Sequence, residues 1–140
     1  MLKICLDKGE HFMEQNKKID LLEYKIKLIH MIIASMDDYK FDFFSFIIDH
    51  NITEYQTKLI LKSLAILKDR LEGSKISQLE NDHPELNMLI SNKKPSFKEF
   101  KEFIELNISK EINSKYLLMS LHRQKINVDI CKYLLDDSKK

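Results

Sequence analysis

At 140 residues the chain is the size of one compact domain, or of a domain with a short arm. An apolar share of 44% against 32% charged excludes wholesale disorder, and two glycines with two prolines are too few for the tight turns of an all-β fold. The net charge of +1, from 23 basic and 22 acidic residues, demands neither nucleic acid nor an anionic membrane as partner. The fold expected is all-α: a compact multi-helix bundle of about six to seven helices with one long central helix.

The basic residues are almost all lysine, with only Arg70 and Arg123 to offer guanidinium forks. Charge drifts from net negative over Asp37–Glu72 to mildly positive over Gly73–Lys140, a solvated surface rather than a steering field. The bias to Lys, Ile and Asn, with Ala34 and Ala65 the only alanines, reads as the codon usage of an AT-rich genome.

In chain order, residues 1–14 read as an N-terminal arm and 15–140 as a single helical domain. Lys3, Asp7, Lys8 and Glu10 break any signal-peptide core, and no apolar run approaches the roughly 20 residues of a membrane span. Cys5 and Cys131 form no CxxC and read as reduced, buried thiols, so a cytoplasmic, membrane-free protein is expected.

From about Gln15 to Met36 the residues Ile19, Leu22, Ile26, Ile29, Ile33 and Met36 alternate spacings of three and four, a single helical seam. Leu21, Leu28 and Ile32 widen the apolar arc to about half the cylinder, so the helix needs cover on more than one side. Heptad registration puts Ile19, Ile26 and Ile33 at a, and Leu22, Ile29 and Met36 at d. The seam is therefore either the core of a bundle or a self-association surface, and bundle packing is the first expectation because it spans under three heptads. Lys25 falls inside the arc, where it either snorkels to solvent or marks an edge for a partner's carboxylate.

Asp37-Asp38 ends the pattern, and the aromatic stretch from Tyr39 to Ile48 predicts a short buried helix ending near His50-Asn51. Thr53 with Gln56 forms a capping box for a helix whose stripe is Ile60, Leu64, Leu67 and Leu71 and whose stop is Gly73. Ser74–Asn92 is less regular: Ile76 and Leu79 predict a helical turn, and Pro84 opens another reaching Ile90. Ser91–Pro95 is a loop, and Ser96 with Glu99 caps a helix that buries Phe97, Phe100, Phe103 and Ile104. Two further helices are predicted at about Lys110–Gln124, with Ile112, Tyr116 and Met119, and at Asn127–Asp136, with Val128, Cys131, Leu134 and Leu135. Phe46–Leu61 and Met119–Leu135 share a helix–turn–helix grammar, an internal echo.

Chemistry leaves few marks. His11, His30, His50, His83 and His122 make no HExxH or zinc-finger spacing, and Asp49-His50 point apart on a helix. Asp37-Asp38 and Asp136-Asp137 sit at helix ends, where carboxylates cap. Gly9 and Gly73 alone make no phosphate loop, and no serine stands in G-x-S-x-G. No catalytic, cofactor-binding or metal residues are expected. A helix-turn-helix DNA reader remains the alternative: Phe43–Asp49, a turn at His50–Ile52, then Thr53–Leu71 with Tyr55, Gln56 and Lys58 outward. The turn lacks glycine, phenylalanines stand at the helix crossing, and the acidic balance repels phosphate.

Ile19, Leu22-Glu23-Tyr24 with Ile26 and Leu28, the aromatic stretch, Ile47-Ile48-Asp49 and a Thr-capped helix resemble the YhaI family of small proteins from low-GC Gram-positive bacteria. The resemblance continues through Phe97–Phe103 and Tyr116–Leu135 and leaves out Met1–Glu14. It implies an all-helical domain capable of self-association and supplies no activity. Small size and AT-rich composition also suit a phage or prophage copy. The function expected is a non-catalytic protein–protein interaction module, regulatory or inhibitory, such as a phage-encoded inhibitor of a host protein. A DNA-binding regulator comes second and an unrecognised enzyme third.

Overall fold

The computed structural model describes residues 2–35, 41–76 and 83–140, with side chains in the first helix from Phe12 to Ile32. Among them the chain is all-helical, with six α-helices and one 3₁₀ helix, as expected. Two compact units divide it, residues 1–36 and 37–140.

The first unit is one helix, α1, Leu2–Ser35. It begins well before the expected Gln15, because Met1–Glu14 holds no proline and only Gly9 weakens it. The position 14/15 expected to divide arm from domain lies inside this helix. Ile33, Met36 and the Asp37-Asp38 break lie outside the described side chains.

The second unit is a small bundle: α2 (Asp42–Asp49), α3 (Glu54–Glu72), the 3₁₀ helix (Pro84–Leu89), α4 (Phe97–Asn107), α5 (Ser114–Arg123) and α6 (Val128–Asp137). Tyr39 lies outside the described residues, so the aromatic helix is seen from Asp42. α3 starts with both halves of its capping box: Thr53 Oγ1 accepts from Gln56 N, and Gln56 Oε1 accepts from Thr53 N. It stops at Gly73, whose φ of +69° is the left-handed conformation that turns the chain off a helix. Ile60, Leu64 and Leu67 are fully buried and Leu71 half-buried, the expected stripe. Ile76 lies outside any helix, so the turn expected there does not include it, and Leu79 is outside the described residues. Pro84 opens a 3₁₀ rather than an α turn.

The core is closed by Phe43 and Ile47 of α2, Phe100, Phe103 and Ile104 of α4, Leu117, Leu118 and Leu121 of α5, and Ile130, Cys131 and Leu134 of α6. Three inner faces differ from the sequence reading: in α6 Val128 is 37% exposed and Ile130 takes the buried place beside Cys131 and Leu134. Phe97 is only half-buried, since it sits in the first turn of α4. α5 begins at Ser114 with Asn113 as its cap, leaving Ile112 buried in the preceding turn. That late start turns Tyr116 outward, 62% exposed, and puts Leu117, Leu118 and Leu121 inside.

The internal echo has a backbone form. At the end of α2, Asn51 N donates to Ile48 O and Ile52 N to Ile47 O; at the end of α5, Lys125 N donates to His122 O and Ile126 N to Leu121 O. Both are Schellman turns, with Asn51 at φ 55° and Lys125 at φ 62° in the left-handed position. The missing glycine in the turn before α3 is thus replaced by an asparagine.

Candidate functional site

Four of the six seam residues have described side chains, and all four are open to solvent: Ile19 51% exposed, Leu22 57%, Ile26 61% and Ile29 42%. Phe12, one heptad before Ile19, is 63% exposed. Helical spacing sets these five side chains in one row along α1. Of the two uses the seam could have, core or contact surface, the exposed row favours contact. An apolar stripe this long in water is what a partner's surface covers. The other flank of α1 differs, with Leu21, Lys25 and Ile32 half-buried.

In the second unit the strongest polar constellation is Arg70, in the last turn of α3, with its side chain 1% exposed. Its Nη1 and Nη2 form a fork on Glu99, at 2.7 Å to Oε2 and 3.0 Å to Oε1. Nε donates to Lys93 O at 3.0 Å and Nη1 to Leu89 O at 2.9 Å, with a longer contact from Nη2 to Lys94 O at 3.5 Å. Every arm of the guanidinium is thus spent on the chain's own 89–99 segment. Glu99 is the residue expected to complete a capping box with Ser96. Ser96 Oγ does accept from Glu99 N at 3.2 Å, while the carboxylate is turned to Arg70.

Two more helix starts are closed by distant side chains. Gln124 Oε1 accepts from both Phe43 N and Phe44 N, at 2.9 and 3.1 Å, where Phe41 at the head of α2 makes no side-chain cap. Asp137 Oδ2 accepts from Phe97 N at 2.8 Å. The Asp136-Asp137 pair therefore does cap a helix, though not its own.

The residues a DNA reader would present on α3 are engaged elsewhere. Gln56 spends its oxygen on Thr53 and donates through Nε2 to Ile108 O at 3.3 Å. Tyr55 donates to Glu85 Oε2 at 2.9 Å, and that hydrogen bond, with smaller contributions from desolvation and the carboxylate's charge, raises its phenol pKa. Lys58 is exposed.

The histidines disperse. His50 stacks on Phe46, ring centroids 3.9 Å apart, with Nδ1 2.9 Å from Phe46 O. His83 meets the edge of Tyr55 at 5.1 Å. His30 is exposed, His122 is half-buried, and the side chain of His11 is outside the described residues. Among the described residues no group of three or more His, Cys, Asp or Glu is placed to hold a metal ion. Cys131 is buried, and desolvation pushes its thiol up to about 12, which makes it unreactive at neutral pH. The side chain of Cys5 lies outside the described residues.

Among the described residues there are open surface clefts of about 300 to 420 Å³. One is lined by Lys101, Lys110 and Lys115 against Glu105 and Glu111. A second holds the Arg123–Asp42 ion pair, at 3.5 Å, between α2 and α5. Neither brings a nucleophile against a base. Among the described residues no helix is long and apolar enough to cross a membrane.

No family model, no curated protein and no solved structure matches the chain.

Proposed function

We propose that the chain is a non-catalytic protein–protein interaction module, regulatory or inhibitory, acting in the cytoplasm, and that it presents α1 to its partner. The observation that supports this is the exposed row Ile19, Leu22, Ile26 and Ile29. The commitment of Gln56 and Tyr55 to internal bonds supports it further, because it takes up two of the three side chains the helix-turn-helix reading would present and leaves only Lys58. Membership of the YhaI-like group of low-GC Gram-positive bacteria is part of the same proposal, as is a phage-encoded copy directed at a host protein.

The test is capture from a low-GC bacterial lysate, treated with nuclease, using the wild-type chain and Leu22→Asp/Ile26→Asp side by side. The expected result is one protein held by the wild type and lost with the double substitution. Capture that disappears with nuclease, or that ignores the substitutions, overturns the reading. In the first case the helix-turn-helix alternative takes its place.

A further inference from the structure

We propose that the partner of α1 is the α1 of a second copy, paired in parallel as a two-stranded coiled coil; this rests on the interaction reading above and names its occupant. Three observations carry it.

The first is register. With Ile19 at a, position a is Phe12, Ile19 and Ile26 over successive heptads, all solvent-exposed, and d is Leu22 and Ile29 after Gln15. β-branched residues at a with leucine at d favour two parallel strands over higher oligomers. Ile19 at a with Leu22 at d carries that dimer pattern. Ile26 with Ile29 does not, since isoleucine at both positions favours three or four strands, so the strand number rests on the charge match and the area below. A self-complementary row of this kind pairs with itself without any second surface.

The second is charge. In this register Lys18 stands at g and Glu23 at the e position of the next heptad, both exposed. Parallel pairing sets g of one helix against the following e of its partner, so Lys18 of each copy meets Glu23 of the other, twice per dimer. Antiparallel pairing sets g against g and e against e, and that match is lost.

The third is size. α1 has 34 residues, a rod of about 50 Å. Covering the exposed portions of five seam side chains removes on the order of 450 Å² per chain, hence about 900 Å² for the pair. That reaches the lower range of specific, weakly associating interfaces. It places the dimer in a concentration-dependent equilibrium rather than in a permanent one.

Sedimentation velocity on the full chain from 1 to 200 µM is the experiment. The expected result is a shift from one to two times 16.7 kDa across that range. Ile26→Asp abolishes the shift; Ile26→Asn, the milder change, weakens it at least tenfold, each with unchanged far-UV helicity at low concentration. Lys18→Glu and Glu23→Lys each weaken dimerisation about three- to tenfold, and combining them restores it. Ile19→Cys in a Cys5→Ser background forms a disulfide between copies under mild oxidation, which only parallel, in-register helices allow. A chain that stays monomeric to 200 µM overturns self-pairing. If it still captures a different protein through the seam, the interaction module stands while this inference falls. A dimer indifferent to Ile26→Asp overturns the seam, and failure of both the charge swap and the cross-link overturns the parallel arrangement.

Discussion

Replacing Arg70 with alanine is the sharpest perturbation of the second unit. The side chain is 1% exposed and its donors reach Glu99 twice and the carbonyls of Leu89 and Lys93 at 3.0 Å or less. Truncation leaves two carbonyls and a carboxylate without their donor. Glu99 is 34% exposed, so water reclaims part of its charge, and the Lys93 carbonyl lies in an exposed loop. Leu89 is buried, and its carbonyl loses its partner outright. Removing one side of a fully buried pair costs about 3–5 kcal/mol. Discounting for the solvent that reaches Glu99 gives about 2–4 kcal/mol here. For a chain of this size that lowers Tm by roughly 5–15 °C. Urea unfolding followed by far-UV circular dichroism reads the loss as a lower midpoint at unchanged slope. Arg70→Lys keeps the charge but not the fork and is expected to lose at least half as much. A cost below about 1 kcal/mol for the alanine variant refutes the argument that this guanidinium holds the 89–99 segment to α3.

Two further predictions concern the second unit. The turns at Gly73 and Lys125 share one left-handed conformation, φ +69° and 62°, so Lys125→Gly is expected to stabilise by about 0.5–1 kcal/mol and Gly73→Ala to destabilise by a similar amount. No atom lies within 4 Å of the Cβ added at Gly73, which makes the second cost conformational; equal and same-signed effects in chemical denaturation would contradict this. Cys131, with its pKa raised by burial from 9.0 to about 12, is expected to resist thiol reagents at pH 8 until the chain unfolds. Because the unfolded thiol ionises first, its contribution is whole below pH 9 and is lost as pH rises toward 12, by at most roughly 4 kcal/mol. Comparison with Cys131→Ala isolates it: the wild type should lose stability more steeply over that window, and parallel curves would contradict the burial argument.

Much of the fold was legible because it is written locally. The Thr53–Gln56 box, the Gly73 stop and the Ser96 cap each lie within a few residues of the backbone groups they serve. What stayed hidden is non-local. Gln124 reaches Phe43 across 81 positions, Asp137 reaches Phe97 across 40 and Arg70 reaches Glu99 across 29, and no periodicity encodes such pairings. The face of α5 was misjudged for a local reason: placing its start near Lys110 rather than at Ser114 rotates the inward side. The seam on α1 was legible as a period, yet a period defines an arc and leaves open what covers it. Exposure of Ile19, Leu22, Ile26 and Ile29 supplies that second fact.

The borrowed helix caps have a consequence for synthesis. The amides of Phe43 and Phe44 leave the ribosome 81 and 80 residues ahead of the glutamine that receives them. At typical elongation rates that interval lasts on the order of 4–16 s. During it α2 carries phenylalanines with no finished bundle to bury them and a helix start without its acceptor. The head of α4 already has Ser96 as its local cap and waits only for Asp137 at the Phe97 amide. The starts of α2 and α4 are thus completed only once residues 124 and 137 have been added to the chain.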